Sequence, residues 1–189
     1  MRRMEEKILK EGKVLPGGIL KVGSFLNQQI DTAFLMEMAE EVHWLFGDSD
    51  VNKILTIESS GIPLAVAAGM KMEVPVLFAK KHKTSNVDGS VYKSKVHSFT
   101  HNEDYDIVVS SDYIDSDDRV LIIDDFLANG NALRGLIELI KEAGATLVGC
   151  AVAIEKCFQD GGDMLRAQGV RIEALASIES MTDTEITFR

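Results

Sequence analysis

The residues with the most chemical potential stand together in one stretch, 119–135, RVLIIDDFLANGNALRG. Four apolar residues, 120–123, lead into two adjacent acids, Asp124 and Asp125, and a short turn leads on to a helix opening near Gly130. An apolar run of that length, bounded by charge, suits a central parallel strand covered on both faces. Carboxylates at the carboxyl end of such a strand sit where open α/β sheets place their ligands. The N–H groups that open the following helix lack partners within it, and that end carries partial positive charge, so it suits a phosphate. Acceptors for hydroxyls and donors for a phosphate then stand about one sugar apart, as a ribose 5-phosphate requires. An Asp can also simply cap a helix, but two acids ending a buried strand are costly for that purpose alone.

A second stretch repeats the arrangement. Residues 53–57, KILTI, read as a buried strand, Glu58-Ser59-Ser60-Gly61 as a small polar turn, and Pro63 falls in the first turn of the next helix. A missing N–H costs little there. A second anion site facing the first is the natural inference, although Ser-Ser-Gly before a helix is also an ordinary capping sequence. Residues 74–79, VPVLFA, form a third strand that runs into Lys80-Lys81-His82-Lys83, the densest positive cluster in an acidic chain. It is either a solvated surface or the partner of a multiply charged anion.

The elements that must position these residues follow from periodicity. Residues 4–11 have helical spacing at Met4, Ile8 and Leu9. Residues 12–23 are turn-rich around Pro16-Gly17-Gly18, with 19–22 a short strand or extended arm. Asp31 is placed to cap a helix running to about Phe46, with an apolar stripe for the core. Residues 84–113 turn polar, and extended runs at 90–100 and 106–110 suggest a hairpin-like arm outside the main sheet. His97 and His101 in this arm have no carboxylate or cysteine at a ligand spacing and read as solvent-facing. Beyond the acids come a helix over 131–143 with Gly144 as its C′ residue, a strand over 147–154 ending in Glu155-Lys156-Cys157-Phe158, a short helix over 163–168 and a strand over 170–176. The tail, 178–189, assigns itself to nothing. Strands alternating with helices give an α/β fold with a mainly parallel sheet flanked by helices.

Bulk composition narrows the classes. A chain of 189 residues, 46% apolar and 26% charged, reads as a single globular domain over 1–189. A net charge of −10 argues against a nucleic-acid partner. No run approaches the about 18 apolar residues of a membrane span, and residues 1–12 lack the apolar core of a signal peptide. Cys150 and Cys157 are too few for a disulfide framework and read as buried thiols of a cytoplasmic protein.

Strand, Asp-Asp, loop and helix together resemble the phosphoribosyl diphosphate (PRPP) signature of the type I phosphoribosyltransferases. The IDDFLANG version is most similar to the xanthine phosphoribosyltransferases, and less so to the purine-operon repressors that share their fold. In most of the family the phosphate loop is rich in Thr and Ser. Here it reads Ala128-Asn129-Gly130-Asn131-Ala132, leaving backbone N–H groups and Asn129 to do what hydroxyls do elsewhere. The resemblance implies the type I fold, with a hood over the base (about 1–35) and a mobile loop or arm (about 84–113) that closes over PRPP and excludes water. It implies that Asp124 and Asp125 hold the ribose hydroxyls as catalytic residues, that 128–132 anchor the 5′-phosphate, and that Ser59, Ser60 and Gly61 take the diphosphate. Lys81, with Lys83 as second choice, would reach that diphosphate, often in the neighbouring subunit of a homodimer. KVGSFLNQQID (21–31) and the residue before it are similar to the family's hood, which makes Leu20 and Asn27 candidate base contacts, with Lys156 and Phe158 opposite. Mg²⁺ would arrive with PRPP, with no protein ligand assigned to it. The expected reaction joins xanthine to the ribose of PRPP. The alternatives are a PRPP-binding, purine-responsive regulator of the same fold and a guanine/hypoxanthine phosphoribosyltransferase. The regulators carry an added DNA-binding domain, for which this chain has neither the room nor the positive charge.

Overall fold

The computed structural model describes residues 1–81, 90–98, 103–182 and 185–189. Helix α1 (Arg2–Glu11) leads into a small antiparallel hairpin, β1 (Lys13–Leu15) and β2 (Ile19–Lys21), and then a π-helical turn (Gly23–Asn27). Next come α2 (Thr32–Phe46), β3 (Lys53–Ile57), α3 (Ile62–Met72) and β4 (Val76–Ala79). The arm follows as β5 (Val91–Ser98) and β6 (Glu103–Ser110), then β7 (Arg119–Leu127), α4 (Asn131–Glu142), β8 (Thr146–Lys156), α5 (Gly161–Ala167), β9 (Ile172–Met181) and β10 (Ile186–Phe188). Asp31 caps α2 as its sequence position suggests, accepting the Phe34 N–H at 3.1 Å.

The main sheet has the order β10-β9-β8-β7-β3-β4, parallel throughout except for β10 on β9. The unbroken apolar run of β7 is explained by its two packed faces. Leu121 and Ile123 join the layer built by α1, α2 and α3, while Val120 and Ile122 join the layer of α4 and the arm. The arm is a separate two-stranded sheet, as expected, tied to the end of β4 by reciprocal Lys80–Val108 backbone hydrogen bonds of 2.9 Å.

Four readings need correction. The passage 12–23 holds a strand, β1, too short to show periodicity; it forms because Gly17 and Gly18 take positive φ and turn the chain back on itself. The acids do not follow β7 but lie within it, since its ladder with β8 continues to Leu127↔Glu155. The polar tail holds strand structure: β9 runs on to Met181, and β10 closes the sheet edge with Ile186 and Phe188 against the core. His97 has a carboxylate after all, because the hairpin register sets it opposite Asp104, with Nδ1 2.7 Å from Oδ1. Lys83 and His101 lie outside the described residues. Cys150 is buried, which with the nearby Asp124 charge pushes its thiol up to about 12, whereas Cys157 is only half-buried. Among the described residues no helix is long and apolar enough to cross a membrane.

Candidate active site

The sheet opens where the acids sit. Pairing of β7 with β3 reaches Leu55↔Ile122, but pairing with β8 continues five residues further along β7, to Leu127. Asp124 and Asp125 therefore stand at the point where one neighbour has left and the other remains. Asp124 is 5% exposed, and its Oδ1 accepts the Asp125 N–H at 2.9 Å. Burial holds its carboxyl well above the usual carboxylate range, the adjacent Asp125 adds to this, and the Lys81 charge works the other way. Burial also raises Asp125, opposed by the Asn27 amide, which donates to its Oδ2 at 3.3 Å. Among the described residues neither acid forms an ion pair. Such a site is organised to receive hydroxyl donors and positive charge.

The turn after β3 packs directly on these acids. A Cβ on Gly61 would come within 2.8 Å of Asp124 Oδ1 and collide with the Thr56 hydroxyl, so only glycine lets the two strand ends approach this closely. Ser59 is exposed and Ser60 half-buried, and neither hydroxyl has a partner among the described residues. The Glu58 carboxylate accepts the Lys81 N–H at 2.6 Å, fixing the start of the basic cluster beside the turn. Lys81 Nζ lies 5.5 Å above the Tyr105 ring of the arm. The structure thus brings Ser59, Ser60, Gly61 and Lys81 to the rim around Asp124.

Residues 128–132 wrap a cleft of about 200 Å³ whose far wall comes from Val96, His97 and Tyr105 of the arm. Gly130 makes the wrap possible: it takes φ 75° as the N-cap of α4. The cleft's polar frame includes a residue that the sequence did not mark. Arg134 donates to the Asn129 carbonyl at 3.3 Å and to Asn131 Oδ1, while Asn131 Nδ2 donates to the His97 carbonyl at 2.9 Å. An arginine four residues into a helix gives no motif, so only the folded geometry reveals it.

At the other end Lys156 leaves β8 and donates from Nζ to the Gly18 carbonyl at 2.9 Å, 5.7 Å from the Phe126 ring. Burial lowers its pKa. Phe158 also lies beside Gly18, so the β1–β2 hairpin folds down over the end of β8 as a hood. Leu20 is only 6% exposed and packs mostly into the core, though with Asn27 it borders a cavity of about 390 Å³. Asn27 itself reaches Asp125, on the opposite side of Phe126 in sequence from Leu127 and the loop. The carboxylate of Glu155, 2% exposed, is gripped by both Arg166 nitrogens at 2.6 and 2.7 Å, which anchors the strand end carrying Lys156.

The phosphoribosyl transferase domain family matches residues 23–162, most of the chain. This chain belongs to the phosphoribosyltransferase family. It is 49% identical over 188 residues to a xanthine phosphoribosyltransferase of Finegoldia magna, covering 100% of this chain and 99% of the relative. It is 50% identical over 185 residues to a xanthine phosphoribosyltransferase of Moorella thermoacetica, covering 98% and 94%. In fold it is similar to the adenine phosphoribosyltransferase (APRTase) of Giardia lamblia complexed with 9-deazaadenine, with TM-score 0.78, 21% identity, and 94% and 98% of the two chains covered. The enzyme of Thermoanaerobacter pseudethanolicus gives TM-score 0.76 at 17% identity, with 92% and 99% covered. At those identities the likeness establishes the type I phosphoribosyltransferase fold. The family match begins at Gly23 and leaves out the hairpin with Leu20, whereas the match to the Finegoldia magna relative covers the whole of this chain.

Proposed function

We propose that the chain is a xanthine phosphoribosyltransferase, moving the 5-phosphoribosyl group of PRPP onto xanthine to give xanthosine 5′-monophosphate and diphosphate. The observation that carries this is identity at about half of all positions, end to end, with relatives of that name. The displacement builds positive charge on the ribose and negative charge on the leaving diphosphate, so the protein's work is positioning and fixed electrostatics. Asp124 and Asp125 accept the ribose hydroxyls and face the growing positive charge. Residues Ala128, Asn129, Gly130, Asn131 and Ala132 present N–H groups to the 5′-phosphate, and Ser59, Ser60, Gly61 and Lys81 receive the diphosphate.

Xanthine lies under the hood between Asn27 and Lys156, bordered by Leu20 and Phe158. An ammonium donates and never accepts, so Lys156 suits a 6-oxo group and meets only a donor at the 6-amino group of adenine. The Asn27 amide can donate to a 2-oxo group, where guanine carries an amine. Among the described residues no three His, Cys, Asp or Glu side chains are grouped to hold a metal ion. Mg²⁺ keeps waters and binds chiefly through substrate oxygens. Substrate held at Asp124, Asp125 and the 58–61 turn would carry the ion, and its charge would ease departure of the diphosphate.

The enzyme works as a homodimer of single-domain subunits in the cytoplasm. Val66 and Met70 on α3 and Phe78 on the edge strand β4 are 43%, 73% and 40% exposed, apolar side chains that a second copy would cover. The test is a transfer assay with PRPP, Mg²⁺ and a panel of xanthine, guanine, hypoxanthine and adenine. Xanthine is expected to give the highest kcat/KM, with one diphosphate released per nucleotide. A higher value for guanine or hypoxanthine moves the base assignment. PRPP binding with no transfer to any base replaces the enzyme by a PRPP-responsive regulator.

A further inference from the structure

Arg134 is half-buried at the fourth position of α4, and among the described residues it makes no ion pair. Its two recorded acceptors are neutral, the Asn129 carbonyl and Asn131 Oδ1. A guanidinium held near the positive end of a helix opposes the local field, and a partly buried cation normally finds an anion. In a chain of net charge −10, no carboxylate among the described residues pairs with it, Glu138 one turn on being engaged by the Ser94 hydroxyl instead, and a ligand's charge would complete the placement. The loop it touches has no side-chain hydroxyl, so its donors toward an anion are peptide N–H groups whose direction depends on where the carbonyls turn. Arg134 takes up one of those carbonyls. Through Asn131, whose Nδ2 donates to the His97 carbonyl, it also ties the loop to the arm that forms the cleft's far wall.

We propose that Arg134 is a positioning residue for the 5′-phosphate. It fixes Asn129 and Asn131 so that the loop's N–H groups face the ligand, holds the arm against the loop, and supplies the positive charge that hydroxyl-rich loops do without. This rests on the proposed reading of 128–132 as the phosphate loop.

The test uses the whole enzyme and the variants Arg134→Ala, Arg134→Gln and Arg134→Lys. Ribose 5-phosphate binding is followed by calorimetry, and PRPP and xanthine kinetics by the transfer assay. Loss of a charged hydrogen-bond partner should weaken ribose 5-phosphate and raise KM for PRPP by about 10- to 100-fold in the Ala and Gln variants. The kcat and the KM for xanthine should stay within about 3-fold, as for a residue that acts on binding rather than on the transition state. Lysine keeps the charge without the planar fork and should recover part of the loss. A merely structural role would move both Michaelis constants, kcat and Tm together, and that pattern overturns the proposal. So does unchanged ribose 5-phosphate affinity in any folded variant; should the alanine variant not fold, the Gln and Lys variants decide. If the wild-type enzyme binds ribose 5-phosphate but moves no phosphoribosyl group from PRPP to any base, the enzymatic reading fails while this inference stands. If it binds none, both the loop reading and this inference fall.

Discussion

Replacing Asp124 with Asn should make the free protein more stable and the enzyme nearly inactive. The side chain is 5% exposed, and among the described residues no cation pairs with it. Asparagine keeps the Oδ1 that accepts the Asp125 N–H at 2.9 Å, so the variant loses a charge and no backbone hydrogen bond. A buried polar group short of partners costs about 1–3 kcal/mol, and a charge costs more. At about 2–4 °C per kcal/mol for a chain of this length, Tm should rise by about 2–10 °C at pH 7.5. The pH dependence gives the sharper test. Burial and the Asp125 charge raise the folded-state pKa of Asp124 well above its unfolded value of about 3.9. Between those two values the folded state binds more protons than the unfolded one, so this group's contribution to stability falls as pH rises. Asparagine removes that loss, so the gap between variant and wild type should be near zero at about pH 4, open as pH rises toward the raised folded-state pKa and level off beyond it. Thermal unfolding across a buffer series measures the gap, and the same melts with PRPP and Mg²⁺ should show a smaller ligand-induced rise in the variant. Turnover should drop on the order of 10²-fold or more, as for other charges aimed at a transition state. A variant less stable than wild type at pH 7.5, or a gap independent of pH, would refute the picture of an uncompensated buried carboxylate.

Other perturbations probe the remaining walls of the site. Gly61→Ala places a methyl group against the Thr56 hydroxyl and 2.8 Å from Asp124 Oδ1; it should cost about 1–3 kcal/mol of stability and lower kcat, and melts and kinetics equal to wild type would count against the close packing. Lys156→Ala removes a charge-assisted donor and should lower kcat/KM for xanthine by about 10- to 150-fold; unchanged xanthine kinetics with intact PRPP binding would remove Lys156 from the base site. Mixing Lys81→Ala subunits with Asp125→Asn subunits should restore some activity through hybrid dimers with one intact site. No recovery, once subunit exchange is shown, would confine Lys81 to its own subunit.

What the sequence made legible is what repeats locally. The continuous apolar run 120–123 and the mainly apolar 53–57 announce buried strands, and both appear as neighbours in the sheet. The Asp31 cap, the Gly130 helix start and the Gly144 helix end rest on single-residue chemistry and sit where that chemistry puts them. Elements whose order comes from elsewhere stayed hidden. β10 has only three residues; its pairing is decided by Ile186 and Phe188 meeting a core built from α1 and α2. The Glu155–Arg166 pair joins a strand end to a helical residue eleven positions later and has no periodic signature. His97 acquires Asp104 through the register of β5 on β6, which local spacing does not announce.

The base end shows why a site is harder to read than a fold. Lys156 and Gly18 are separated by most of the chain, yet a 2.9 Å hydrogen bond joins them. No local pattern specifies that contact; it follows from three independent placements. The β1–β2 turn must reverse at Gly17 and Gly18, β8 must run one turn's reach past the core to Lys156, and α1 must seat the hairpin through Met4, Ile8 and Leu20. The same hydrogen bond has a functional consequence under the proposed reading. A lysine that already donates to a backbone carbonyl is held at one height above Phe126, and burial lowers the cost of sharing its proton with an acidic base. An oxo group arriving beneath the hood meets a donor already oriented, and an amine meets one that has no acceptor to offer. Selectivity for the base thus comes from the hood's attachment to β8 as much as from the lysine itself.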